Sequence, residues 1–372
     1  MIYFLVNNDY QLVDARRHLA ELRARGLVAT LIEIPHTLNA ERRGEGFERV
    51  VTLPTPLRGQ RWVKAWRGCF GAPSRIAAAL QPTAADVLFF YTEYELLNHM
   101  AALRFKAAGA RIFLLEDGGF ATYVPFSVAA EEAMTLKERI IAAMTRRLPG
   151  LRGTRFHKIN GQVYPWLPDR VIDAVGVYRA ITPIRDLKIR LLRRQARPAV
   201  APHKGRVIFL NQPMYDHYQT DDQYLAGLDR LVGALCKGFH EVLFKFHPRE
   251  SPAWRERIGA LLAQRHLRVR ILEDDRPFEQ LATAYVPEAL ASYFSTALLN
   301  LDVTGIEPLY LYHLLPEVAE QPVFAQATLL LQRWGYRFAP SIDDVRSGFS
   351  SGLEDEGEAG RESVADIAMQ VG

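Results

Sequence analysis

Short apolar runs alternate with helical patterns along most of the chain. Ile2 to Val6 reads as a strand, 10–25 as a helix and 28–34 as a second strand. A strand near 87–91 and a helix near 95–108 then lead into the strand 111–115. This alternation predicts βαβ units, and such units build a parallel sheet with helices on both faces. Gly26 and Gly109 each follow a helical pattern and act as stop signals.

Between roughly 145 and 205 the pattern loosens into basic, proline-bearing sequence, with one helical excursion inside 184–196. The alternation restarts at Arg206: strands at 206–210, 241–246, 268–272 and 290–294, helices at 220–236 and 252–265, and a further helix opening at Ala297. A chain of 372 residues exceeds what one core usually supports. The expected organisation is an N-terminal Rossmann-like domain over 1–165, a linker over 166–205, a C-terminal Rossmann-like domain over 206–345, and a mobile or weakly packed tail over 346–372. Two such domains form a cleft between their strand ends, where ligands favour binding.

Composition narrows the class. The two cysteines, Cys69 and Cys236, lie far apart without neighbouring ligand patterns, which fits a reducing compartment and argues against a zinc site. The start carries no basic leader, and no segment approaches the ~18 to 20 apolar residues needed to cross a bilayer. The expected location is the cytoplasm, in solution or peripheral on the inner membrane.

The formal charge is only +4, but it is unevenly spread. Arg146, Arg147, Arg152, Arg155 and Lys158 form one cluster, and Lys188, Arg190, Arg193, Arg194 and Arg197 another. Such clusters are either a solvated helix face plus linker or a contact with anionic lipid or glycolipid. Nucleic acid is not expected as a partner, because no aromatic-interleaved basic motif accompanies the charge.

Two peptides carry the candidate chemistry. Glu116-Asp117-Gly118-Gly119 follows the apolar run 112–115 directly, and Lys245-Phe246-His247-Pro248-Arg249 follows Val242-Leu243-Phe244. Each sits where a buried parallel strand ends and a loop opens, the ligand-facing edge of an α/β sheet. Adjacent, partly desolvated carboxylates repel each other, so at least one should have a raised pKa, as a base requires. Gly118 lets the backbone turn and leaves room for a substrate. Pro248 biases His247 toward an extended conformation, and the flanking cations suit an anionic leaving group.

Gln212-Pro213 lies at another strand end on the same rim, with Asp216, Asp221 and Asp222 as spare carboxylates. Ser295 and Thr296 lie between a strand and a helix, where hydroxyls cap and free N–H groups receive phosphate oxygens. There is no Walker loop, His-Glu-x-x-His, Cys-x-x-Cys, strand-linked Gly-x-Gly-x-x-Gly or Asp-x-Asp. No metal or cofactor is therefore expected, and cations with helix N-termini must neutralise any phosphate.

In order, Glu116-Asp117-Gly118, Asn211-Gln212-Pro213, Lys245-Phe246-His247-Pro248-Arg249 and Ser295-Thr296-Ala297-Leu298-Leu299 resemble the motif set of bacterial sialyltransferases. The set is similar to glycosyltransferase family 52, the lipooligosaccharide sialyltransferase group, with kinship to the polysialyltransferases. That resemblance implies an α/β fold of GT-B type: two Rossmann-like domains with parallel sheets facing across a cleft, the acceptor toward the first and the nucleotide mostly in the second. It implies metal-independent, inverting transfer of sialic acid or a related nonulosonate from a CMP-sugar to a hydroxyl of a glycan or glycolipid such as lipooligosaccharide or capsule.

Under the same resemblance Glu116 or Asp117 deprotonates the acceptor, with Glu116 holding the leading acidic position, and His247 assists departure of CMP. Gly118, Gln212, Pro213, Lys245, Pro248, Arg249, Ser295 and Thr296 would bind substrate. Ser-Thr replaces the usual pair of serines but keeps both hydroxyls. The competing readings are a GT-B glycosyltransferase or epimerase using a UDP-sugar, and a non-catalytic glycan-assembly or membrane-surface scaffold. Donor sugar, acceptor linkage and oligomeric state stay open.

Overall fold

A computed structural model of the chain describes residues 1–37, 44–53, 62–93, 95–117, 123, 132–148, 150–159, 162–183, 185–194, 199–216, 218–248, 250–274, 276, 278–299, 301, 305–349 and 360–370. It divides into two compact units, 1–195 with 358–372, and 196–357. Both are doubly wound parallel sheets of the Rossmann type.

In the first unit the strands are β1 (Ile2–Asn8), β2 (Ala29–Thr37), β3 (Arg49–Thr52), β4 (Val87–Phe90), β5 (Arg111–Leu115), β8 (Ala174–Val177) and β9 (Ile189–Leu191), with β6 (Arg155–Ile159) and β7 (Gln162–Trp166) forming a separate antiparallel hairpin. The sheet order is β3-β2-β1-β4-β5-β8-β9, parallel throughout. Strands covered on both faces read as continuous apolar runs rather than alternating ones. Val87–Phe90 is buried at every position for this reason. In register across the middle of the sheet, Phe4, Phe89 and Phe113 stack at centroid separations of 5.3 Å each.

The helix Asp9–Ala24 starts where Asn8 accepts a hydrogen bond from the Gln11 N–H, and it ends at Gly26, whose φ of +70° suits glycine. Gly176 has a different reason to lack a side chain: a Cβ there would come within 2.9 Å of Leu115 Cδ2 and 3.0 Å of Leu192 Cδ1. Close packing of β8 beside β5 depends on it.

The stretch 166–205, expected as a linker with a helical excursion, instead supplies β8 and β9, and Ile189–Leu191 is a strand where 184–196 reads as helical. Two members of its second basic cluster, Arg190 and Arg194, are engaged by the fold, while Lys188 and Arg193 are exposed. Arg190 is buried and donates to Glu362 at 2.9 and 3.1 Å and to Gln370 at 2.8 Å, while the Arg194 guanidinium lies over the Tyr178 ring at 5.1 Å.

The end of the tail is also packed. Glu362 bridges to Leu192 alongside β9, and the helix Val364–Met369 buries Val364, Ala365 and Ile367 in the same core as Leu12, Leu19 and Leu22. The edge strand β9 is thereby covered. Val364 and Ile367 lie in a short acidic-flanked segment whose composition left both a mobile end and a weakly packed helix open; Val364–Met369 form a helix packed in the core.

The second unit holds β10 (His203–Leu210), β11 (Glu241–Lys245), β12 (Val269–Ile271), β13 (Pro287–Ser292) and β14 (Glu307–Tyr310) in the parallel order β12-β11-β10-β13-β14. Helix Asp221–Gly238 opens on a capping box of Thr220 and Gln223, and helix Pro252–Arg265 on a Ser251 cap with Pro252 in its first turn. Both helix starts agree with the sequence reading. Cys236 is a free, partly buried thiol. No helix among the described residues is long and apolar enough to cross a membrane.

Candidate active site

The acidic motif sits at a switch in strand order. From β1 the chain winds outward through β2 and β3, then returns to lay β4 on the other side of β1. Such a reversal opens a crevice beyond the carboxyl ends of the two strands, where α/β sheets bind ligands. Asp117, two residues past β5, hydrogen-bonds the Gln11 amide at 2.9 Å and also the side chains of Asn8, at the end of β1, and Thr92, just past β4.

The two carboxylates differ sharply in setting. Glu116 is fully buried, and its Oε2 accepts hydrogen bonds from the Tyr123 hydroxyl and, at 2.9 Å, from the Tyr178 N–H. Its Oε1 is buried without a hydrogen-bond partner among the described residues. Tyr178 is itself held by Asp14, its hydroxyl donating to Oδ1 at 2.9 Å. Asp117 keeps some exposure. Burial pushes its pKa up to about 6; the Gln11 hydrogen bond opposes that rise, and the Glu116 carboxylate adds to it.

A second switch occurs in the other unit, where β10 is followed outward by β11 and β12 before β13 returns to its opposite side. Gln212, beyond β10, clasps the segment beyond β13: its Oε1 accepts from the Phe294 N–H at 2.5 Å and the Ser292 hydroxyl at 3.3 Å, and its Nε2 donates to the Phe294 carbonyl at 3.1 Å. Pro213 is buried beside it. The Ser295 hydroxyl accepts from the Ala297 N–H at 3.2 Å, and a 3-10 turn over Thr296–Leu298 takes the place of the expected α-helix. Ser295 and Thr296 are partly exposed.

His247 lies two residues beyond β11 and is partly exposed, with Pro248 fully on the surface. Its backbone is fixed by Glu250, whose Oε2 accepts from the His247 N–H at 2.8 Å while the Glu250 N–H returns a bond to the His247 carbonyl at 3.0 Å. Glu250 Oε1 in turn accepts from the Asn211 amide. Burial raises the Glu250 carboxyl to about 7 against these hydrogen bonds. Lys245 donates to the Asp274 carbonyl, so its ammonium serves at least in part to hold a neighbouring loop.

The structure thus brings Gln212, Pro213, Lys245, His247, Ser295 and Thr296 to one edge of the second sheet, and Glu116 and Asp117 to the corresponding edge of the first. Gly118 and Arg249 lie outside the described residues. Sequence reading overlooked Gln11, Tyr123, Tyr178 and Glu250. Only Glu250 left a local signal, as an acidic residue three positions after His247 that can reach back to its N–H. Gln11 and Tyr178 arrive from distant parts of the chain, and Tyr123 lies seven residues after Glu116. Among the described residues no three His, Cys, Asp or Glu side chains gather as metal ligands.

Comparison with known proteins gives a family. Residues 74–304 match the family model described as alpha-2,8-polysialyltransferase. No curated protein sequence matches. Among solved structures, the chain is similar to the spinosyn forosaminyltransferase SpnP (14% identity, TM-score 0.49, covering 100% of this chain and 93% of that one). It is also similar to a putative UDP-N-acetylglucosamine 2-epimerase from Listeria monocytogenes (11%, 0.49, 83% and 78%) and to the UDP-GlcNAc 2-epimerase from Neisseria meningitidis (10%, 0.47, 89% and 92%). These likenesses carry no assignment of chemistry. The family match spans all of the acidic, glutamine, histidine and Ser-Thr motifs and more than half of the chain, and the protein belongs to the alpha-2,8-polysialyltransferase family of glycosyltransferases.

Proposed function

We propose that the protein transfers sialic acid or a related nonulosonate from a CMP-sugar to a hydroxyl of a surface glycan, with inversion and without a metal, as in the lipooligosaccharide sialyltransferase group. The observation that carries the reading is the family match laid over two switch-point edges, one presenting a carboxylate of raised pKa and the other a histidine held by its backbone.

In this reading Asp117, rather than Glu116, is the base. A base must reach the acceptor and must hold a proton well enough to take it; Asp117 has accessible surface and a pKa of about 6. Glu116 is committed to Tyr123 and Tyr178 and sets the geometry of the turn. As Asp117 removes the hydroxyl proton, the acceptor oxygen forms its bond to the anomeric carbon while the bond from that carbon to the phosphate oxygen breaks. CMP leaves with the electron pair. His247 donates a hydrogen bond or proton to the departing phosphate, and the Ser295 and Thr296 hydroxyls with nearby N–H groups hold its oxygens.

The test is CMP release from CMP-sialic acid in the presence of an oligosialyl or lactose-type acceptor, compared with UDP release from UDP-sugars. CMP release that needs acceptor supports the reading. Turnover of UDP-sugars alone replaces it with the UDP-sugar alternative, and turnover of neither leaves the scaffold reading.

A further inference from the structure

The helix Leu136–Arg146 buries only Ala142 and Thr145. On its other side Leu136, Ile140 and Met144 are 73%, 52% and 46% exposed. A spacing of four places the three in one stripe along the helix. At about 100° per residue, Lys137 borders the stripe on one flank, and Arg139 and Arg146 border it on the other; all three are exposed.

Exposed Arg147, Arg152 and Arg155 extend the basic surface past the helix. Across 136–155 there are six basic residues and one acidic residue, Glu138. That carboxylate is turned aside, to the Thr135 cap and to Lys158 at 3.2 Å.

The helix is firmly held rather than frayed. Thr135 and Glu138 form a capping box, and Lys158 of the β6–β7 hairpin both pairs with Glu138 and bridges to Glu132. Four residues past the helix, Gly150 lines a separate groove of about 450 Å³ with Pro73, Ile76, Met100, Leu103 and Arg104.

An apolar stripe rimmed by cations selects its partner by chemistry. A second copy would bring like charges together, and a helix about 16 Å long presenting three apolar side chains offers far less than the roughly 1,600 Å² that a stable interface buries. Anionic lipid satisfies both features, since acyl chains accept the stripe and headgroup phosphates accept the flanking cations. We propose that the helix Leu136–Arg146 lies in the interface of an anionic bilayer, with Leu136, Ile140 and Met144 among the acyl chains and Lys137, Arg139, Arg146 and Arg147 at the headgroups. This places the membrane contact on the first basic cluster; in the second, Arg190 and Arg194 are engaged within the fold.

The full chain is floated with vesicles of phosphatidylcholine plus phosphatidylglycerol and with phosphatidylcholine alone, while CMP release on a soluble acceptor is followed in parallel. The expected result is binding to the anionic vesicles only, weakened by salt. Ile140→Ser with Met144→Ser, and separately Arg146→Glu with Arg147→Glu, should each lower it by about tenfold or more, with soluble turnover unchanged. Absence of binding to anionic vesicles overturns the proposal. So does binding that the variants leave intact, or a concentration-dependent dimer that the Ile140/Met144 variant dissolves. Flotation does not depend on turnover, so loss of the transferase reading and loss of this one are separable.

Discussion

Gln11 donates from Nε2 to Asp117 Oδ1 at 2.9 Å, joining the first turn of the first helix to the end of β5 across 106 positions of sequence. The bond favours the ionised carboxylate, and burial opposes it. If ionised Asp117 is the base, kcat/KM should fall as pH drops through about 6. Asp117→Asn should lower it by about 10² to 10⁴-fold and abolish that acid limb.

Gln11→Ala removes a hydrogen bond from the charged form. The acid limb should then move upward by about one pH unit. A pH profile of the variant checks this, and a limb that stays in place would detach Asp117 from the titration.

Glu250 should leave its mark on stability. Its carboxyl rises from the ordinary 4.5 to about 7 in the fold, so the folded state binds its proton more tightly than the unfolded chain does. The resulting stabilisation is full below about pH 4.5 and is lost as pH rises through about 7. Between pH 4.5 and 8 the wild type should lose up to about 3 kcal/mol from this group. Glu250→Gln should flatten that window in urea unfolding at several pH values.

The tail provides a structural test. Truncation before Glu358 removes Glu362 from Arg190 and strips Val364, Ala365 and Ile367 from the first core. Each large apolar side chain contributes about 1.5–3 kcal/mol, and the orphaned Arg190 adds to the loss. Thermal unfolding of the truncated chain should show marked destabilisation, and an unchanged Tm would contradict the packing described.

These relationships mark where sequence reading succeeds. The strand Arg111–Leu115 and the helix Pro252–Arg265 were legible to the residue, because an apolar run bounded by polar turns and a Ser-Pro start are local signals. Strands β8 and β9 were not. They are short, are interrupted by Gly176 and carry Arg190, and their identity comes from pairing with β5 and with each other. The site divides in the same way. Motif positions at strand ends could be read from the chain, but the separation of Glu116 from Asp117 by burial depends on Tyr123, Tyr178 and Gln11, which only folding brings together.

Gln212 should act on binding more than on the chemical step. Its three hydrogen bonds tie the loops beyond β10 and β13, so Gln212→Ala should cost about 1–3 kcal/mol of stability and raise KM for the donor more than it lowers kcat. Calorimetry with CMP together with steady-state kinetics separates the two.

The most direct measurement of the central claim is acceptor-dependent release of CMP from CMP-sialic acid by the wild type, Asp117→Asn and His247→Ala, side by side. Release by the wild type, with both variants reduced by about 10² to 10⁴-fold while still binding CMP, is the expected result. Release that neither substitution impairs, or no release of CMP from any CMP-sugar, would contradict it.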